Sequence, residues 1–202
     1  MTAAPGAEVL WAPAAAPGIE HLRLHSPPGG GSRAESLVVA VDEEAGPAGR
    51  PFRVRYTVVC DARWRVRTLD VAVDGPERGA AALHLTGDGA GRWTAAGVSR
   101  PDLDGCLDVD LTVSPFTNTL PVRRLGLAPG QAAEIRVAYV ELPRLRLSVA
   151  PQRYTCLAAG PLGSRYRFES LDADFTADLT LDAAGLVVEY PGLFRRVGAW
   201  PD

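Results

Sequence analysis

The sequence predicts a mostly β protein, and three observations support this fold class. Short segments along the whole chain alternate apolar and polar residues with the period of a strand. Glycine-rich turns separate these segments at near-regular intervals, which is typical of an antiparallel roll, barrel or sandwich. No segment combines a sustained helical period with start and stop signals, so we expect short helical turns at most.

The first half of the chain contains a series of predicted strands. In the clearest of them, Phe52, Val54 and Tyr56 share one face and arginines share the other. The segment 64–73 is irregular, because Arg65 and Arg67 fall in phase with its apolar residues. This predicts either a β-bulge or a strand that runs from one environment to another. The predicted strands of this half are 19–25, 35–41, 52–60, 64–73, 81–85 and 92–95.

The second half begins with 107–113, where apolar residues alternate with Asp108 and Asp110. The next stretch, 117–124, is the candidate for a helical turn, and Pro121 in its middle requires that turn to be short. The remaining predicted strands are 133–142, 144–149, 165–169, 175–181 and 185–190. No clear linker interrupts the chain, so we predict one domain over 1–202, with the Ala/Pro-rich residues 1–18 partly flexible.

The composition narrows the class of function. The 202 residues carry a net charge of -3, which argues against a nucleic-acid-binding surface. No apolar run approaches the roughly 20 residues that a membrane helix requires, so we do not expect an integral membrane protein. The three cysteines are far apart and the N-terminus lacks a basic region before an apolar one. These features predict a cytoplasmic protein without a disulfide framework.

Acidic residues offer the first candidate chemistry. Asp108 and Asp110 lie two residues apart on a predicted strand and therefore project from the same face. They suit an acid/base pair, a cation site or, as we favour, a polar strand face that pairs with arginines. His21 and His25 would lie roughly 13 Å apart along one strand, which does not suit zinc. No motif for a catalytic nucleophile occurs, so an enzyme is the less favoured interpretation, and we expect no cofactor and no metal.

Arginine residues offer the second candidate chemistry. Arg53, Arg55, Arg65 and Arg67 fall on a predicted hairpin, and Arg123 and Arg124 end the helical turn. On an outer surface they are ordinary solubilising charges. On the inner wall of an open roll they would pair with aspartates or hold an anionic or hydroxyl-rich headgroup.

Four strings in this order resemble one family. They are DARWRVR (61–67), GCLDVDLTVSPFTNTLPVRRL (105–125), QRYTCL (152–157) and GLVVEYPGLFRR (185–196). They are similar to strings of the putative glycolipid-binding family of bacterial proteins, once described as a domain of unknown function. The resemblance spans nearly the whole chain and implies a mostly β spiral roll, or open half-barrel, like that of lipoprotein carriers, which enclose an apolar cavity. It implies no catalytic or binding residue.

These observations predict a protein that binds a glycolipid or another lipid-like amphiphile in a cavity of a curved sheet. Acyl burial at roughly 0.8 kcal/mol per CH₂ would supply affinity, and polar groups at the cavity mouth would orient the head. The alternatives are a hydrolase or isomerase that uses the Asp108/Asp110 pair, or a protein-interaction module with the PFTNTLP turn as its contact surface. The predicted ligand-binding residues are Trp64, Arg65, Arg67, Asp108, Asp110, Asn118, Arg123, Arg124 and Tyr154.

Overall fold

The computed structural model describes residues 6–27, 30–46, 49–75 and 79–201. These residues form one sheet of 15 strands with a single short α-helix, which confirms the predicted mostly β class. The strands are β1 Ala7–Pro13, β2 Gly18–His25, β3 Ser32–Asp42, β4 Arg50–Cys60, β5 Val66–Gly75, β6 Gly79–Gly87, β7 Trp93–Ala95, β8 Val98–Ser99, β9 Asp108–Leu111, β10 Ala132–Glu141, β11 Arg146–Gly160, β12 Gly163–Ser170, β13 Phe175–Asp182, β14 Val187–Tyr190 and β15 Phe194–Pro201.

The sheet is two meanders joined at the chain ends. From one edge it runs β8 to β1 in reverse chain order, then continues from β15 back to β9. Neighbouring strands are antiparallel except at the far edge, where β9 runs parallel to β10. The pairing of β1 with β15 therefore unites the two halves of the chain in one sheet.

The central pair β1 and β15 corrects the sequence analysis, which predicted neither strand. Residues 1–18 were expected to be partly flexible, but Ala7–Pro13 forms β1 between β2 and β15. Trp11 holds this strand in place, because its side chain is fully buried and its indole N–H donates to the carbonyl of Val187 at 2.7 Å. Residues 1–5 of the predicted flexible segment lie outside the described residues.

The predicted bulge in the fifth strand is confirmed. The register between β4 and β5 pairs Val59 with Thr68 and Cys60 with Val66, so Arg67 is the extra residue. Trp64 and Arg65 precede the strand, in the turn that Asp61 organises by accepting the backbone N–H groups of Arg63 and Arg65.

A compact helical segment interrupts the sheet between β9 and β10. A 3-10 turn, Pro115–Asn118, leads directly into α1, Thr119–Leu125. The helix is short as predicted, and Pro121 lies in its first turn, where backbone N–H groups lack partners within the helix anyway. Gly126 ends it in the left-handed conformation, with φ 55°, and donates to the carbonyl of Val122.

The buried residues divide into two clusters. The larger one covers one face of β1–β7, mostly with aliphatic side chains, and reaches β9, β10 and the 3-10 turn. The smaller one lies on β11–β14 and is rich in aromatic rings. All three cysteines are buried and unpaired. None of the helices among the described residues has the length and apolarity needed to cross a bilayer.

Candidate functional site

The segment from Ser114 to Val122 lies inside the fold rather than on its surface. Every one of these residues is buried. Thr112 and Val113, which precede the segment, are half-buried. Phe116 is 1% exposed. The prediction that the PFTNTLP turn is a contact surface for a protein partner is therefore wrong, because the aromatic ring is part of the core.

A cavity of about 540 Å³ opens beside this segment. We call it the aromatic cavity. One wall carries Phe168, Phe175, Tyr190 and Phe194 on the consecutive strands β12 to β15, with neighbouring ring centroids 6.0–6.4 Å apart. Its size falls within the range of ordinary small-molecule sites, and aromatic walls are typical of clefts for sugars and lipids.

The aromatic cavity also has a polar part of its wall, which includes Asp110 of β9. Its carboxylate accepts one hydrogen bond from the Thr117 hydroxyl at 2.8 Å and another from the Gln152 amide at 2.7 Å. The hydroxyl of Tyr154 donates to the side-chain oxygen of Asn118 at 2.9 Å. The cavity is therefore lined both by aromatic rings and by a hydrogen-bonded carboxylate and amides.

Burial shifts the pKa values of the acidic and phenolic groups in and near this wall. It raises the pKa of Asp110 above its usual range, although the hydrogen bonds from Thr117 and Gln152 oppose the shift. It also raises the pKa of Tyr139, to which the Asp110 charge contributes. Tyr154 and Tyr190 are shifted upward for the same reasons, so their hydroxyls remain hydrogen-bond donors with raised pKa values.

A second cavity of about 450 Å³ adjoins the first, and the two share Thr112, Leu193 and Phe194 in their walls. We call it the Glu20 cavity, because Glu20 of β2 lies in its wall with only 2% of its surface exposed. Oε1 of Glu20 accepts three hydroxyl groups: Tyr56 at 2.5 Å, Ser36 at 2.8 Å and Ser114 at 2.8 Å. Burial raises the pKa of this carboxyl to about 7.

The turn after β9 joins the two cavities. Ser114 at its start bonds Glu20, and Thr117 three residues later bonds Asp110. The two cavity-lining acids, on opposite halves of the sheet, are thus tied to one four-residue turn.

Asp108 has a different role from Asp110. It is fully buried, and the Arg124 guanidinium of α1 grips both of its oxygens, with the closest contact at 2.5 Å. Burial raises the pKa of Asp108 and the guanidinium opposes that rise. Because Asp108 is sealed by Arg124 whereas Asp110 lines the aromatic cavity, the structure does not present the two aspartates to one substrate as an acid/base pair.

Comparison with known proteins now identifies the family. Residues 8–196 match the family described as "Putative glycolipid-binding". The chain belongs to this family. It is also similar to a DUF1089 family protein from Pseudomonas aeruginosa, known from a crystal structure, with 43% identity and a TM-score of 0.81. That match covers 89% of this chain and 92% of the Pseudomonas protein.

A second crystal structure shares the fold alone. It is the β-barrel-like protein of a domain of unknown function, DUF1849, from Brucella abortus, with 9% identity and a TM-score of 0.62. The match covers 100% of this chain and 99% of the Brucella protein. No curated protein matches the chain.

For this member of the family described as "Putative glycolipid-binding", the structure brings some of the predicted ligand-binding residues together and separates others. Asp110 and Asn118 line the aromatic cavity, whereas Tyr154 is not one of its lining residues and reaches it only through its hydrogen bond to Asn118. Arg123 lies over the Trp64 ring at 4.9 Å and donates to the carbonyl of Ala184. Burial lowers the pKa of Arg123.

Arg65 and Arg67 lie elsewhere. Arg65 pairs with Asp61 at 2.8 Å within its own turn, and Arg67 donates to the carbonyl of Gly87 at 2.9 Å. On the neighbouring strand, Arg53 forms an exposed pair with Asp74. Of the described residues that line the aromatic cavity, none is an arginine.

Sequence reasoning missed Glu20, Tyr56 and Gln152. A signal for Glu20 was present: it falls in phase with Leu22 and Leu24, the inward residues of β2. An acid on the apolar face of a strand needs an explanation, because burial of a charge is costly without partners. Gln152 carried no comparable signal. In the part of the chain that the structure describes, no group of three or more His, Cys, Asp or Glu residues is arranged to hold a metal ion.

Proposed function

We propose that this protein binds an amphiphile such as a glycolipid in the aromatic cavity. The supporting observation is the mixed wall: a hydrogen-bonded carboxylate and a row of four aromatic rings line one cavity of about 540 Å³. Membership of a family described as glycolipid-binding agrees with such a ligand.

The polar wall has capacity left for a ligand. Thr117 and Gln152 occupy one site on each oxygen of Asp110, and a carboxylate offers about four acceptor sites in all. Sugar hydroxyls are suitable donors for the remaining sites. On the other wall, sugar C–H faces or acyl methylenes pack against the rings, and each buried CH₂ contributes about 0.8 kcal/mol.

Isothermal titration of hexyl and octyl β-D-glucoside tests both walls. The two additional methylenes of the octyl compound should tighten binding by about 15-fold, since they add about 1.6 kcal/mol of burial. Asp110→Asn should weaken both glucosides by about tenfold, because it removes a charged acceptor, and should leave the ratio between them unchanged.

The matched control is Asp178→Asn, the same substitution on β13, where the carboxylate pairs with Arg167 away from the cavity. Its affinity for both glucosides should equal that of the wild type. Failure of either glucoside to bind, or equal loss in both aspartate variants, would overturn the proposal.

A further inference from the structure

The Glu20 carboxyl is incompletely satisfied. All three hydroxyl donors converge on Oε1, whereas Oε2 is buried and has no hydrogen-bond partner among the described residues. No arginine or histidine in the described part of the chain forms an ion pair with it. A buried carboxylate oxygen without a partner is rare, since folding removes its water without replacing it.

The residues around Glu20 indicate which kind of ligand group would bind beside it. The described residues of the cavity wall include five carboxylates, Glu20, Asp42, Glu43, Glu44 and Glu141, but a single guanidinium, Arg144. Arg144 pairs with Asp42 and Glu44, at 3.3 and 3.0 Å, so it is already engaged. The titratable group that directly faces Glu20 is Tyr56, whose own pKa is raised by burial and by the Glu20 charge. A cavity whose wall carries a net negative charge repels carboxylates and phosphates and attracts cations.

Apart from Thr112, the rest of the wall is apolar. Its larger side chains include Trp11, Phe52, Leu142, Leu193 and Phe194. A cation that fits here therefore carries an apolar stem.

We propose that the Glu20 cavity is a second binding site, which takes the ammonium group of an amine with an apolar stem, with the Glu20 carboxylate as its counter-charge. An ammonium donates three hydrogen bonds and neutralises the carboxylate, whereas a hydroxyl supplies one donor and no charge. The ammonium meets Glu20, and the stem lies along the aromatic and aliphatic wall. This inference goes beyond amphiphile binding in the aromatic cavity and does not depend on it.

Binding of the amine is linked to a proton. Ammonium binding favours ionised Glu20, and with the pKa of Glu20 at about 7 the free protein at lower pH holds the carboxyl neutral. Affinity for the amine should therefore rise with pH, because the fraction of protein that is ready to bind rises.

Titration calorimetry with octylammonium and 1-octanol tests the proposal. Near pH 8 octylammonium should bind at least about tenfold more tightly than octanol. Near pH 5 its affinity should fall by up to about 100-fold, while that of octanol stays constant. Equal affinity for the two probes near pH 8, or no binding of octylammonium, would overturn the proposal.

Two variants locate the effect. Glu20→Gln keeps the shape of the side chain and should abolish both the preference for the amine and its pH dependence. Tyr56→Phe keeps the acid but removes its closest donor, so the midpoint of the pH dependence should move upward. Glu35→Gln, on the exposed face of β3 beside Ser36, is the matched control and should behave as wild type. An unchanged preference for the amine in Glu20→Gln would contradict the assignment.

Because these probes carry no sugar, a negative result here leaves the glucoside experiment on Asp110 unaffected, and the reverse also holds.

Discussion

Asp108 and Glu20 are two buried acids whose carboxyl groups are held in opposite ways. Both are almost fully shielded, at 0% and 2% exposure. Asp108 is held on both oxygens by the guanidinium of Arg124. Glu20 is held on one oxygen by hydroxyl groups, and its other oxygen has no partner among the described residues.

This difference gives Asp108 a structural role, whereas Glu20 can respond to pH and to a ligand. The buried Asp108 carboxylate has a guanidinium as partner for its charge, and this ion pair ties α1 to β9. A buried carboxyl that has only hydroxyl donors gains or loses its proton near neutral pH. The second region is therefore the one whose properties respond to pH and to a ligand.

Arg124→Ala should have the largest effect. It leaves Asp108 buried without a counter-charge, and loss of one partner of a buried ion pair lowers the free energy of unfolding by about 3–5 kcal/mol. Urea denaturation followed by tryptophan fluorescence measures this. Arg53→Ala, which removes an exposed pair with Asp74, is the control and should lower it by less than about 1 kcal/mol. Equal losses in the two variants would contradict the structural role of the Asp108 pair.

The pH dependence of stability should be the next largest effect. Because folding raises the pKa of Glu20 from 4.5 to about 7, its contribution to stability is fully present below the lower value. It is lost as pH rises through the higher value. Relative to Glu20→Gln, the wild type should lose about 3 kcal/mol of unfolding free energy from about pH 4 to about pH 8.

Denaturation curves of both proteins at a series of pH values provide the measurement. Subtraction of the Glu20→Gln curve removes the contributions of the other carboxyl groups, which include Asp108 and Asp110. Parallel curves for the two proteins would show that Glu20 keeps an ordinary pKa in the folded protein.

Ser36→Ala should have the smallest effect of the three. It removes one of three donors to Glu20 and should lower the unfolding free energy by about 1.5 kcal/mol near pH 8, where the carboxyl is ionised. Near pH 5 the loss should be smaller, since the neutral acid needs that donor less. Ser99→Ala, on the exposed edge strand β8, is the control for which no loss is expected at either pH. A loss that is independent of pH would mean that Ser36 stabilises packing and not the Glu20 charge.

The strand pattern in the middle of each half could be predicted because it is local. The alternation around Phe52, Val54 and Tyr56 requires only that one face of a strand be buried. The bulge at Arg67 was readable from a slip in the same pattern. β1 and β15 were missed, since short proline- and glycine-containing segments such as AEVLWAP and FRRVGAWP become strands through their mutual pairing.

The site was predicted only in part, and Asp108 and Asp110 show why. The sequence placed both on one face of a strand, but it could not show which acid faces Arg124 and which faces a cavity. That distinction depends on Thr117 and Gln152, the second of which lies 42 residues away along the chain. The ligand-binding roles of Trp64, Arg65, Arg67, Asp108, Asp110, Asn118, Arg123, Arg124 and Tyr154 remain predictions, and the geometry favours Asp110 and its neighbours.

By itself, the sequence determined the mostly β class, the short helix and the family, because alternation, turn residues and the string at 105–125 are encoded locally. The tertiary structure decided which polar residues meet. Ser114 and Glu20 are separated by 94 positions, and Trp11 and Val187 by 176. Contacts over such distances arise only when the two ends of the chain pair at the centre of the sheet, which closes the fold around the turn that holds both cavity-lining acids.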